Sequence, residues 1–224
     1  MVGAVLALIL AADVDVNEML ERVAQRYRAQ KVYSLELLQN GIVGRGIATG
    51  TVRIRLDVAE DGRYYYREVK DSPQAMIVPP QPMTIVSDGE TVWRDDGRGR
   101  DPMVEAPGLR ADILVRDAMH ILCRRFAMLD GPAMKARLLR MERFRQRQCA
   151  VIQVEGRLKE APDTWTEKLW VDVETAAVLK SDFTKVSNVD GLKEAWVRTY
   201  LTPPGEREPD EKLLEFRPGG RRLR

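Results

Sequence analysis

Between Ala48 and Phe183, apolar and charged residues alternate along short segments broken by turn residues. A sheet with one greasy face satisfies that period of two, and a helix does not. In Thr51–Val58 the set Val52, Ile54, Leu56 and Val58 faces one way, and Arg53, Arg55 and Asp57 face the other. The segment runs into Glu60-Asp61-Gly62, where glycine can take positive φ, and returns as Arg63–Val69 with Tyr64 and Tyr66 on the apolar side. Met83–Arg94 reads as two short strands joined by an Asp-Gly turn. Cys149–Glu155 is a strand, and Leu169–Val173 returns through Glu174-Thr175-Ala176-Ala177 as Val178–Phe183. There Leu169, Val171, Leu179 and Phe183 are expected inward, with Asp172, Lys180 and Asp182 toward water. Ala195–Leu201 adds a strand that carries Trp196 and Tyr200 on one side, Lys31–Leu38 begins the sheet, and Lys212–Phe216 is the last strand candidate. The prolines of Val78–Pro82 cannot donate ladder bonds and mark an edge or a loop.

Two amphipathic helices interrupt this pattern. After Asp15, the residues Val16, Met19, Leu20, Val23, Ala24 and Tyr27 fall on one stripe, with Asp15 and Glu18 spaced as an acidic capping box. That stripe either closes an end of the sheet's core or forms a lid over a cavity. A second helix is expected over Ile113–Ala127, capped by Asp112, with a buried stripe of Leu114, Val115, Ala118, Met119, Leu122 and Phe126. It carries the only histidine, His120, one turn from Cys123. A thiolate–imidazolium pair is the one nucleophilic arrangement on offer. The helical wheel separates the two side chains, and no further His or Cys completes a metal site. No catalytic residue, cofactor or metal is therefore expected, and a Cys-His hydrolase ranks last.

The 36 basic and 34 acidic residues are interleaved, so the net charge of +2 is not concentrated as a nucleic-acid surface requires. With 44% hydrophobic residues the chain can build a core. Val2–Ala12 is an apolar run too short to span a bilayer. It reads as a signal-peptide remnant, residues 1–12, or else as an apolar element of the mature protein; composition favours the former. Residues 13–224 then form a single domain. Cys123 and Cys149 are compatible with one disulfide or with two buried thiols. From Met134 to Phe144 the residues are good helix formers.

The order of several motifs resembles the bacterial outer-membrane lipoprotein carriers of the LolA type. They are the first amphipathic helix, Gly50-Thr51-Val52-Arg53-Ile54-Arg55, Gly62-Arg63-Tyr64-Tyr65-Tyr66 and Ile85-Val86-Ser87-Asp88-Gly89-Glu90-Thr91-Val92-Trp93. Leu169-Trp170-Val171-Asp172 with Thr175 and Val178-Leu179-Lys180 resembles that family's strand–turn–strand, and Phe216 with Pro218-Gly219 its closing strand. The resemblance implies an α+β fold: a strongly curved antiparallel sheet, or incomplete β-barrel, with helices packed in its concave face. It also implies export to the periplasm and an apolar cavity for acyl chains. It makes Ala136–Glu142 a strand against local propensity, makes the Ile113 helix a plug gated by Val115, Met119 and Leu122, and sets Arg55 near the place of an arginine that helps hold the lid. The proline that usually follows that arginine is absent.

On this reading the chain is a non-enzymatic periplasmic carrier for lipoproteins or another lipid-like ligand. Its cavity lining is expected to be Val52, Ile54, Leu56, Tyr64, Tyr66, Leu169, Val171, Leu179 and Phe183. Its partners would be lipid acyl chains and inner- and outer-membrane proteins, without a transmembrane segment. The alternative is an envelope protein-interaction, stress-sensing module of the same fold, in which Trp93 and Arg94 would matter more than the cavity.

Overall fold

A computed structural model describes residues 14–44, 47–71, 82–98, 101–131, 134–157, 164–186 and 193–215. The apolar run Val2–Ala12, the proline segment 78–81 and Phe216 onward lie outside the described residues.

Period-two segments become β1 (Tyr33–Gly44), β2 (Ile47–Val58), β3 (Tyr64–Asp71), β4 (Pro82–Ser87), β5 (Val92–Asp95) and β6 (Met103–Glu105). Further along are β7 (Lys135–Phe144), β8 (Arg147–Arg157), β9 (Thr164–Asp172), β10 (Val178–Val186) and β11 (Lys193–Thr202). They form one antiparallel sheet in the order β6-β5-β4-β3-β2-β1-β11-β10-β9-β8-β7. Among the described residues no ladder joins β6 to β7, so the sheet bends without closing. The two hairpin glycines do what the sequence predicts, Gly62 at φ 88 and Gly89 at φ 94, and Pro82 opens its strand, where its missing N–H is tolerated.

Helix α1 (Val16–Ala29) and helix α2 (Arg110–Leu122), followed by a 3-10 helix at Arg124–Met128, fill the concave face. Asp15 caps α1, accepting from the backbone N–H of Asn17 at 2.8 Å and of Glu18 at 3.3 Å. The α1 stripe of Met19, Leu20, Val23 and Tyr27 joins Leu35, Leu37, Leu56, Ile152, Leu169, Val171, Val115, Met119, Leu122 and Phe126 in one core. Guanidinium bonds to backbone carbonyls fasten α1 down: Arg22 to Val173 at 3.1 Å, and Arg26 to Thr175 at 3.2 Å and Pro204 at 2.9 Å. The Tyr27 hydroxyl accepts from the Val178 N–H at 3.2 Å. Of the two roles open to α1, this geometry makes it a fixed end-plug.

Four expectations are corrected. Asp112 does not cap α2. The helix begins three residues earlier, after Leu109, and the Asp112 carboxylate instead accepts from the Gly108 N–H at 2.7 Å, the Tyr64 hydroxyl at 3.0 Å and Arg116 at 2.8 Å. Burial alone would raise its pKa, but the bonds from Arg116, Gly108 and Tyr64 outweigh it and hold the carboxyl below its ordinary value. Leu114 lies outside the buried stripe, and Phe126 belongs to the 3-10 helix. Asp172 is buried, because it accepts from the N–H groups of Glu174 and Thr175 and so ties the β9–β10 turn. The Lys212–Phe216 candidate opens instead as a short helix, α3 (Glu211–Leu214), capped by Asp210 and packed with Ala59, Tyr65 and Val86 on the convex face. Strand β7 forms despite helical propensity, since pairing with β8 along its whole length overrides a preference worth a few tenths of a kcal/mol per residue, roughly.

Two tryptophans lie flat on the concave wall because their cross-strand partners are glycines. Trp196 on β11 is paired with Gly41 on β1, and Trp165 on β9 with Gly156 on β8. A Cβ on Gly41 would stand 2.2 Å from the Trp196 ring, and one on Gly156 2.6 Å from the Trp165 ring. Gly41→Val is therefore expected to lift the Trp196 indole and to cost about 1–3 kcal/mol as overpacking does. A shifted tryptophan emission together with a lower urea midpoint checks this; an unchanged midpoint and spectrum would count against the packing.

Candidate functional site

Directly opposed residues of an antiparallel ladder share a face, so the register defines the concave wall in rows. One row runs Gly41–Trp196–Phe183–Glu167–Val154 across β1, β11, β10, β9 and β8. The next runs Gln39–Arg198–Ser181–Leu169–Ile152. Toward the rest of the core these rows are apolar. Across β1, β11, β10 and β9 they carry a polar island of Gln39, Arg198, Ser181 and Glu167.

Beside that island one flank of α2 stands away from the sheet and leaves a cleft of about 570 Å³. The helix supplies Ile113, Leu114, Ala118, Ile121 and Leu122, and the sheet supplies Ile54, Tyr66, Trp196, Gln39 and Arg198. Ile113, Leu114 and Ile121 keep 49%, 37% and 42% of their surface exposed. Most globular helices put charge on such positions; here α2 is apolar on its buried face and again toward the cleft. The volume falls in the range of small-molecule sites. Two other hollows differ in character. One of about 600 Å³ is mixed, setting Arg28, Lys31, Glu60, Arg116 and Arg124 beside Tyr27, Val58, Tyr64 and Met119, and one of about 710 Å³ is polar and collects Asp15, Glu18, Glu21 and Asp130.

Helix α2 is held at both ends. Its N-terminus is tied by Asp112 to Tyr64 and by the Ala111 N–H to the Glu105 carboxylate at 2.9 Å; at its C-terminus the Tyr200 hydroxyl donates to the Leu122 carbonyl at 2.7 Å. Val115, Met119 and Leu122, expected as gating residues, are the buried seam between helix and sheet, and Leu122 also reaches the cleft.

The expected lining residues separate into four groups. Ile54 and Tyr66 line the cleft. Val52, Leu56, Tyr64, Leu169 and Val171 face the same side but belong to the packed core. Phe183 is half-buried, stacked with Trp165 at 6.2 Å and with the Arg125 guanidinium 5.8 Å from its ring. Leu179 is corrected: it packs with Cys149, Val151, Trp170 and Ala177 on the convex face. The β10 register shifts between Val178 and Lys180, and that extra residue turns Leu179 outward, with Lys180 lying 4.2 Å over the Trp170 ring. Arg55 is corrected too. It shares a parity with Asp57, opposite Ile54 and Leu56, and binds the buried Asp57 carboxylate at 2.8 Å and Asp210 at 3.7 Å, pinning the segment before α3 to the convex side. Among the described residues its hydrogen bonds and ion pairs reach Asp57 and Asp210 and neither α1 nor α2.

His120 is exposed while Cys123 is buried, so the pair does not share a site. Burial pushes the Cys123 thiol up to about 12 and the Cys149 thiol up to about 11, which leaves both protonated near neutral pH. Both are free thiols on opposite faces of the sheet.

Sequence reasoning missed Arg198, Arg125, Glu167, Gln39 and the cleft-facing Ile113 and Ile121. One signal was present: Arg198 is two residues from both Trp196 and Tyr200, on the side they share, so a strand that buried those rings had to bury the arginine with them.

No protein-family model matches the sequence, and no curated protein does. Solved structures do. LprF from Mycobacterium bovis aligns with 87% of this chain and 95% of its own at 10% identity, TM-score 0.52. The lipoprotein LppX from Mycobacterium tuberculosis aligns with 87% and 97% at 7% identity, TM-score 0.51. A LolA superfamily protein from Nitrosomonas europaea aligns with 90% and 98% at 13% identity, TM-score 0.37. At these identities the likeness speaks to architecture alone, and the architecture shared with LprF and LppX is an open curved sheet filled by helices.

Proposed function

We propose that this chain is a non-enzymatic binding or carrier protein of the bacterial periplasm that takes a lipid-like apolar ligand into the cleft between α2 and the β1–β2–β3–β11 wall. The observation that carries the reading is the second apolar flank of α2: Ile113, Leu114 and Ile121 are left exposed over a hollow that Ile54, Tyr66 and Trp196 complete. Each methylene removed from water there contributes about 0.8 kcal/mol, so a single alkyl chain has a gross driving force large enough to offset the cost of its ordering. The ligand needs no lid to open, because the cleft already reaches solvent; movement of α2 would have to expose the Val115–Met119–Leu122 seam and break its ties to Tyr64 and Tyr200. Among the described residues no helix is long and apolar enough to cross a membrane. The likeness to LppX, a lipoprotein by its name, supports an envelope setting.

The test uses the cleft-facing residues, which fold without being buried. The double substitution Leu114→Gln, Ile121→Gln leaves stability within about 0.5 kcal/mol. It weakens uptake of a fluorescent fatty-acid probe by about tenfold or more, through loss of apolar contact. Unchanged uptake would remove the cleft from consideration. Native mass of the chain purified from a bacterial envelope decides between the two classes: a bound species of lipid mass supports the carrier, and an empty chain that retains a protein supports the interaction module.

A further inference from the structure

The floor of the cleft holds a positive charge that, among the described residues, no ion pair takes up. Arg198 lies in the middle of β11 and is only 4% exposed. Its Nε donates to Gln39 Oε1 at 2.7 Å, and among the described residues no hydrogen-bond partner reaches its Nη1, which is shut away from solvent. The nearby buried carboxylate is spoken for. Glu167 takes both terminal nitrogens of Arg125, one of them at 2.7 Å, and Ser181, directly opposite Arg198, accepts from Arg125 at 3.4 Å. Two guanidinium groups thus share one carboxylate, and the island keeps a net positive charge. At the rim, Glu194 accepts from the Trp196 indole at 2.7 Å, and Glu68 accepts from the Tyr66 hydroxyl at 2.7 Å. Asp117 and Arg110 line the cleft as well, so its mouth carries charges of both signs, and the buried guanidinium on the floor is the group short of an acceptor.

We propose that Arg198 recognises the anionic head, a carboxylate or a phosphate monoester, of a single-chain amphiphile whose hydrocarbon runs out of the cleft along Ile113, Leu114 and Ile121. This rests on the ligand-binding reading above and names the class of ligand. The guanidinium can only donate, so a group that meets its free position must accept, and a charged acceptor makes the strongest such bond; Nη1 is covered, so a turn of the guanidinium has to bring it to the cleft. Burial first, and then the charge of Arg125, push the Arg198 guanidinium down to about 10, so it remains charged at neutral pH with a deficit that an anion removes.

Binding of decanoate, decyl phosphate and decanol to the full chain at pH 7.5, followed by titration calorimetry, tests this. At least one anion is expected to bind about tenfold to a hundredfold tighter than the alcohol. Which anion it is tells a carboxylate head from a phosphate one. Arg198→Met brings that anion down to the affinity of decanol, and Arg198→Lys restores part of the preference. Arg198→Met also unfolds at a higher temperature than the parent, since an unpaired buried cation is exchanged for an apolar side chain of similar length. Equal affinity for anions and alcohol in the parent, or an unchanged preference in Arg198→Met, overturns the assignment while leaving the cleft as an apolar site. If none of the three binds, the ligand-binding reading itself fails.

Discussion

Replacing Phe126 by alanine is expected to cost the protein about 3–5 kcal/mol, toward the upper end for a buried aromatic. The ring is fully buried in the 3-10 helix and meets Tyr27 of α1 edge-on at 5.1 Å and Tyr200 of β11 at 6.2 Å, with the Arg125 guanidinium 4.7 Å over its face. A cavity is cheapest where neighbours collapse into it, and these neighbours cannot. The Tyr27 hydroxyl is fixed by the Val178 N–H, Tyr200 by the Leu122 carbonyl, and Arg125 by Glu167. Most of the void should persist, and the loss of edge contacts adds to it. Phe126→Leu keeps a large part of the volume and is expected to cost about 1–2 kcal/mol. Urea unfolding of both variants checks the pair; an alanine variant within about 1 kcal/mol of the parent would mean that the three aromatic rings do not form the joint between helices and sheet.

That joint was legible in the sequence only in pieces. The stripe and cap of α1 and the hairpin β2–β3 read correctly because local propensity, period and turn chemistry all agree there. Strand β7 did not read from its own residues: Lys, Ala, Arg, Leu and Met prefer helix, and only an unformed partner, β8, makes them a strand, so the resemblance supplied what propensity could not. For α3 the error ran the other way. Asp210 followed by Glu-Lys-Leu-Leu is a capped helix by local rules, and the strand reading of Lys212–Phe216, made from its residues, overlooked that cap. At Arg55 the resemblance and the local pattern conflict, since strict alternation already set it opposite Ile54 and the convex ion pair agrees with the alternation. Leu179 was beyond reach, because a one-residue bulge inverts every face after it and leaves no mark in composition.

The cleft was harder to see than the core, since its determinants are relations between strands. Trp196 reads as one more buried ring until Gly41 is known to lie across from it; then the indole must lie down, and the room above it becomes part of the cleft. Likewise α2 was read as having one apolar stripe. Its exposed Ile113, Leu114 and Ile121 acquire meaning only when the concave wall opposite them is found to stop short of contact.

Glu167→Leu is expected to cost about 3–5 kcal/mol, the cost of breaking a buried ion pair by removing one partner. The reason lies in the charge count of the island. Glu167 is buried and holds Arg125 through both oxygens; without it, Arg125 and Arg198 face each other across the Ser181 row with no carboxylate between them. Like charges in a site of low effective dielectric repel strongly, and Arg198, buried in mid-sheet, cannot swing to water without opening the core. Arg125→Met in the same chain should recover most of the loss, because a well-packed apolar pair is about as stable as a buried ionic one. A double-mutant cycle by urea unfolding therefore yields a coupling of about 2 kcal/mol or more, far above the value for an exposed pair. A Glu167→Leu variant within about 1 kcal/mol of the parent, or a double variant as unstable as the single one, would show that the island is hydrated and that Arg198 is not held short of a counter-charge.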